Sequence, residues 1–209
     1  AWSAAGGSQG MVLGTLVQGV PHQGGQYSGD GWEWLAMFPL YCGAVLVVGY
    51  TWLGACWLYW RTEEELQQRS ARQAKVLASV TVLLLTVLVA WTATLDARYL
   101  HRLSDPLIWL PAAVLLVALP ISFVLGFRSR RHYLPLFAAL AIFVVAFALM
   151  IAALYPLIVP PDLTLQAAAS SPASQLFMLV GFAVLIPLTL LYNTYGFRVF
   201  SGKVRAERD

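Results

Sequence analysis

The sequence predicts an all-α polytopic membrane protein with five transmembrane helices and the end of a preceding one. Three observations lead there. Hydrophobic residues make up 59% of the 209 residues and charged residues only 11%, with a mean hydropathy of +0.70. A soluble fold of this length cannot bury so much apolar surface, and the surplus must face lipid. Apolar runs long enough to cross a bilayer occupy about 36–60, 76–95, 107–127 and 133–154, and a last one starts near Ser171. The cations fall in short clusters beside these runs. A pI near 9.0 therefore marks membrane orientation and not nucleic-acid binding.

Residues 1–35 read as one unit, the end of a preceding membrane helix followed by an outer loop. Residues 1–19 have neither the basic start nor the continuous apolar centre of a signal peptide. Within them Gly10 and Gly14 supply a small-xxx-small spacing that lets two helix backbones approach. Residues 20–35, rich in Gly and polar groups, return to the membrane at Trp32 and Trp34. Residues 36–209 read as the five-helix bundle with a tail.

The first span, about Ala36 to Trp60, tolerates Pro39 in its first turn and ends in Trp57, Tyr59 and Trp60, suited to the headgroup level. Next comes RTEEELQQRSARQAK. Thr62 with Glu65 fits a capping box, Glu65 and Arg69 can pair at i,i+4, and a short helix standing in solvent is expected. The second span, Val76 to Leu95, leads into an exit loop, DARYLHRLSDP. Pro120 should kink the third span. Arg128, Arg130 and Arg131 close it, and the fourth runs from Tyr133 to Leu154. After a Pro160-Pro161 loop, Ser171 and Pro172 suit the N-cap and first position of the last helix, which Pro187 should kink.

The orientation follows from the cations. Arg61, Arg69, Arg72 and Lys75 lie between the first two spans, three Arg between the third and fourth, and Arg198, Lys203, Arg205 and Arg208 at the end. Arg98 and Arg102 lie on the opposite side, where snorkelling explains them. Five spans with a cytoplasmic carboxyl terminus satisfy the positive-inside rule.

No ionisable residue falls within a span core, and His22, His101 and His132 lie in loops or at helix ends. Haem ligation, proton relays and coupled-ion sites all need such groups at depth. Met150 and Met178 read as packing residues near the outer face. Cys42 and Cys56, ~21 Å apart along one helix, cannot bridge and read as small buried residues. Thr51, Thr81, Thr86, Thr92, Ser122 and Thr189 are expected to bond back to their own helices. Asn193 is the first choice for an inter-helix contact. Trp52, deep in the first span, reads as interface packing ahead of a role against a quinone ring. Gly54 is expected at a close helix approach and Gln67 on the surface, so Gly54→Lys should disrupt assembly more than Gln67→Lys. No catalytic, cofactor-binding or metal residue is assigned.

Three stretches, SQGMVLGTLVQGV (8–20), FPLYCGAVLVVGYTWLGACWLYWRTEEELQQRSAR (38–72) and the segment 155–204 with its Pro-Pro loop, Ser-Pro helix start and RVFSGKV tail, together resemble subunit II of the cytochrome bd-type quinol oxidases, including the cyanide-insensitive branch. The resemblance implies an eight-helix subunit of which these are helices four to eight. It further implies a bacterial cytoplasmic-membrane complex that oxidises a quinol from the quinone pool, ubiquinol among them, reduces O2 to water and generates a proton-motive force. In that family haem b and haem d sit in subunit I, the partner against which subunit II packs, and some members of subunit II hold a structural quinone. Two competing classes are a secondary transporter, with the helices carrying Pro120 and Pro187 as its interrupted helices, and a purely structural membrane scaffold. Neither proline is accompanied by a charge or a Gly-Pro break.

Overall fold

Lipid tails are as apolar as leucine, so helices within a bilayer gain little by hiding leucine from them. They touch where side chains are small enough for close packing. The computed structural model describes residues 2–23, 26–103, 105–129, 131–160 and 163–199, and its first contact follows this rule. Helix α1 (Trp2–Gln18) and helix α2 (Met37–Arg61) run antiparallel. A Cβ on Gly10 would fall 2.7 Å from the Cys42 carbonyl oxygen and from Gly43 Cα, and one on Gly14 would fall 2.7 Å from Pro39 Cα. A Cβ on Gly43 would in turn lie 2.9 Å from the Gly7 carbonyl oxygen. The expected small-xxx-small spacing thus seats backbone against backbone. A polar tie joins it, Tyr50 Oη donating to Gln9 Oε1 at 3.1 Å.

The segment between α1 and α2 is more ordered than a loop. Strands β1 (His22–Gln23) and β2 (Gln26–Tyr27) pair antiparallel, and a 3-10 turn at Glu33–Leu35 delivers the chain to α2. Trp32 and Trp34 stack with ring centroids 6.0 Å apart.

The connector expected as a separate short helix is instead the first third of α3 (Glu64–Leu95), a continuous 32-residue helix. Packing explains the fusion. Ser70, Ala74, Ala78 and Thr81 are buried, a stripe at i, i+4, i+8 and i+11 that carries one helix face past Lys75 without interruption. The capping box is also corrected. Thr62 closes α2, its N–H and its hydroxyl both bonding the Leu58 carbonyl, at 2.9 and 2.7 Å, while Glu63 occupies the N-cap of α3 without a side-chain capping bond. The Glu65–Arg69 pair forms at 2.6 Å, but both side chains are more than 70% exposed, so it is worth a few tenths of a kcal/mol.

Beyond Asp96 the expected exit loop is a seven-residue helix, α4 (Ala97–Leu103). Helices α5 (Pro106–Arg128) and α6 (Leu134–Leu154) follow as an antiparallel pair. A Cβ on Gly126 would meet Pro135 Cδ at 2.9 Å, again a close approach at a small residue. The segment after α6, expected as a loop, holds β3 (Leu157–Val159) and β4 (Leu163–Thr164), paired antiparallel. The one-turn helix α7 (Leu165–Ala168) comes next, with Thr164 Oγ1 accepting the Ala167 N–H at 3.2 Å. Helix α8 (Pro172–Val199) begins as the sequence suggests, Ser171 Oγ accepting the Ser174 N–H at 3.4 Å. Helices α5 and α8 continue through Pro120 and Pro187.

Among the described residues, α2, α3, α6 and α8 are long and apolar enough to cross a membrane, and α5 coincides with the remaining expected span. Arg130, Pro161, Lys203, Arg205 and Arg208 lie outside the described residues.

One expectation about α3 fails on geometry, and one about α2 is not met within this chain. Gly54 faces open space, with nothing within 4 Å of an added Cβ, and Gln67 is half-buried, its amide donating to the Tyr59 carbonyl at 3.2 Å. On α1 and α2 the close approaches are at Gly6, Gly10, Gly14, Gly43 and Gly49, the first against the Tyr50 ring and the last against the Phe143 ring. Gly10→Val is therefore expected to lower the stability of the folded protein by about 1–3 kcal/mol through overpacking, with Gly54→Val near neutral. Thermal or denaturant unfolding of the purified protein measures the contrast.

Candidate functional site

The centre of the bundle is filled by small residues and aromatic rings. Trp52, Ala55 and Cys56 of α2, Ala74 and Ala78 of α3, Phe123 of α5, and Ala138, Ala139 and Ile142 of α6 form one buried cluster. Trp52 is 1% exposed. Phe123 meets it edge-on at 5.3 Å and Phe143 lies tilted at 6.4 Å. The packing role expected for Trp52 is what this arrangement provides. Both cysteines are free and buried, Cys42 against α1 and Cys56 in the cluster.

The two ends of the bundle differ in chemistry. At the Arg61 end, the guanidinium of Arg61 lies 5.3 Å and 5.4 Å from the Trp57 and Trp60 ring centroids. Lys75 Nζ lies 4.8 Å from the Phe127 centroid, a cation–π arrangement in which the aliphatic stem follows the helix and the head rests on a ring. Tyr59 Oη and His132 Nδ1 are 3.0 Å apart, tying the α5–α6 turn to the end of α2.

The opposite end is stitched by Tyr99. Its phenol, 6% exposed, donates to the Val17 carbonyl at 2.6 Å, satisfying one of the last carbonyls of α1 that the helix itself leaves open. Burial raises the Tyr99 pKa, with the Asp96 charge adding to it. Asp96 accepts from Arg98 Nε at 2.9 Å and Nη2 at 2.6 Å. Hydrogen bonds from Arg98, side chain first, hold its carboxyl below the usual range. Beside them a cavity of about 200 Å³ is lined by Arg98, Tyr99, His101, Tyr155 and neighbouring residues up to Pro160.

These placements answer where a redox centre could be held. His22 lies in β1, His101 on α4 and His132 in the α5–α6 turn, none of them inside a span. Met150 is half-buried and Met178 is exposed. Among the described residues no group of three His, Cys, Asp or Glu side chains converges to hold a metal ion. Asn193 is exposed on α8, so its expected inter-helix contact is not made within this bundle. The whole of α8 is similarly bare. Phe177 is 83% exposed and Tyr192 77%, and its ring contact with the remainder is Phe197 against Trp57 at 5.8 Å.

Comparison with known proteins then places the chain. The model of the family "Cytochrome bd terminal oxidase subunit II" matches residues 4–200. The chain belongs to that family. It is 22% identical to a "Probable cytochrome oxidase subunit 2" of Haemophilus influenzae over 94% of this chain and 62% of that protein. It is 26% identical to the "Cytochrome bd-I ubiquinol oxidase subunit 2" of Escherichia coli K12 over 95% of this chain and 62% of that protein. The chain thus spans about three-fifths of the length of the curated relatives it matches. Cytochrome bd subunit II is a membrane subunit of a haem-containing oxidoreductase complex. The described residues of this member do not fit a haem iron, since its histidines stand outside the spans and its core is closed by alanines and rings.

Sequence reasoning missed the Tyr99 tie, since a tyrosine in a charged segment carries no sign that its partner lies 82 positions away. Tyr99→Phe should cost about 1 kcal/mol, the net worth of one buried hydrogen bond, read as a lowered unfolding midpoint. The folded-state pKa is raised, so this contribution is fully present below the ordinary phenol pKa and is lost as pH rises through the higher folded value. A parent-versus-variant difference that vanished at neutral pH would contradict this.

Proposed function

We propose that this chain is part of the subunit of a bd-type quinol:O2 oxidoreductase that ligates no haem, and that it packs against and stabilises the haem-bearing subunit I in aerobic respiration. The observation that carries the reading is the family match over residues 4–200. Two features of the molecule support it. Its described spans bring no imidazole to membrane depth, which supports assigning haem b and haem d, and the quinol oxidation and O2 reduction they serve, to the partner. Its last span, α8, is left uncovered, as expected of a bundle whose packing is completed in a larger assembly.

On this reading the complex resides in the bacterial cytoplasmic membrane, draws on the quinone pool and contributes to a proton-motive force. The Arg-rich ends of α2, α5 and α8 face the cytoplasm, together with the carboxyl terminus. A structural quinone, where the subunit holds one, is assigned outside the Trp52 core, because Trp52 is 1% exposed and packs against Phe123 and Phe143.

The test is copurification of the intact protein from its own membranes. A longer histidine-containing membrane subunit should come down with it, and the complex should show haem b and haem d absorption bands and oxidise quinol. A complex isolated without haem bands would overturn the proposal.

A further inference from the structure

We propose that the cavity at the Tyr99 end of the bundle is a phospholipid site, taking the phosphate of a zwitterionic glycerophospholipid headgroup while an acyl chain of the same molecule lies along α6. Arg98 and His101 of α4 line the cavity from one side, and Ala153, Leu154 and Tyr155, at the end of α6, line it from another. Its volume of about 200 Å³ is below the roughly 300–1,000 Å³ that encloses a whole drug-sized ligand. A cavity of that size takes a headgroup and leaves the rest of the molecule outside.

The rest of the molecule has a lane to lie in. On α6, Phe137, Leu140, Val144, Phe147 and Ile151 are all exposed, and positions i, i+3, i+7, i+10 and i+14 share one face of a helix. Ala138, Ala139 and Ile142 of the same helix belong instead to the buried cluster. Continuing the exposed spacing reaches Leu154 and Tyr155, both in the cavity wall. The lane therefore runs from the middle of the span into the cavity. From position 137 to position 151 it covers about 21 Å, more than the ~15 Å of hydrocarbon in one leaflet. An apolar lane gives a chain only dispersion contact, so its polar end decides where a lipid stops. On the orientation proposed above that end lies in the outer leaflet; the choice of leaflet rests on that reading, and the site does not.

The chemistry of the cavity selects the headgroup. A guanidinium binds phosphate oxygens through paired N–H donors. Asp96 Oδ2 accepts from Arg98 Nε and Nη2 at 2.9 and 2.6 Å, and this grip fixes the plane of the guanidinium at the cavity. The imidazole of His101 and the phenol of Tyr155 add hydrogen-bonding groups to the wall. Asp96 also decides which phosphate is favoured. It sets a negative charge beside the positive one, and α6 ends at the same cavity with the negative end of its dipole. A headgroup that carries an ammonium with its phosphate, as phosphoethanolamine does, matches both signs. A purely anionic headgroup leaves the carboxylate unmatched, and a neutral quinone ring offers a charge to neither group.

Native mass spectrometry of the intact complex, delipidated and then given defined lipids, tests the site. Phosphatidylethanolamine is expected to be retained in preference to phosphatidylglycerol, and inorganic phosphate at the same concentration should not displace it. Arg98→Gln should lower retention about tenfold, the effect of losing a charge-assisted hydrogen bond. Ala153→Phe, which fills the cavity and keeps every charge, should lower it comparably, while Arg69→Gln at the other end of the bundle should match the parent. Lipid is counted per assembled complex, so a variant that assembles less still reports on the site, and the count is independent of haem content. Unchanged retention in both Arg98→Gln and Ala153→Phe would overturn the proposal. So would an equal loss in Arg69→Gln, displacement by inorganic phosphate, or equal retention of phosphatidylglycerol.

Discussion

Close backbone approach is the constraint on which this bundle depends. In lipid the drive that packs a soluble core is absent, so contacts come from dispersion and a few interhelical hydrogen bonds, and both need helices whose facing side chains are small. Gly10 and Gly14 against Pro39, Cys42 and Gly43 join α1 to α2. Ser70, Ala74 and Ala78 give α3 its buried face, and Gly126 against Pro135 closes the α5–α6 pair. Where a large residue enters, it does so as a ring in a slot opened by a small one, as Phe143 does at Gly49.

The same constraint shapes what the chain can do. Among the described residues the seam is built of alanine, glycine and cysteine, and the histidines stand outside the spans. Polar chemistry is displaced to the ends, where Arg61 and Lys75 rest on aromatic rings and Tyr99 bonds across to α1. A bundle of this kind can brace a redox protein and insulate it. That is the role proposed within the cytochrome bd family for this member.

Much of this was legible in the sequence because membrane helices announce themselves by length and hydropathy, and their ends by cations and tryptophans. Ser171 and Pro172 marked the start of α8 within a residue, and Gly10-x-x-x-Gly14 marked a real interface. The failures share a cause. A capping box at Thr62 and Glu65 and a charged run ending at Lys75 are local patterns, whereas the boundary of α3 was decided by which of its residues meet α2. Gly54 looked like a contact because glycine is small, but only the partner's position tells a used glycine from an idle one. Asn193 was assigned a neighbour that these helices do not supply. The Tyr99 tie depends on Val17, distant in sequence, which no periodicity in one chain reveals.

The proposed role requires that no histidine of this chain ligates a haem of the assembled complex. The most direct measurement is the absorption spectrum and haem-to-protein ratio of the assembled complex carrying His22→Gln, His101→Gln and His132→Gln together. The account predicts the same bands and the same ratio per assembled complex as in the parent. Loss or displacement of a haem band in that variant would contradict it.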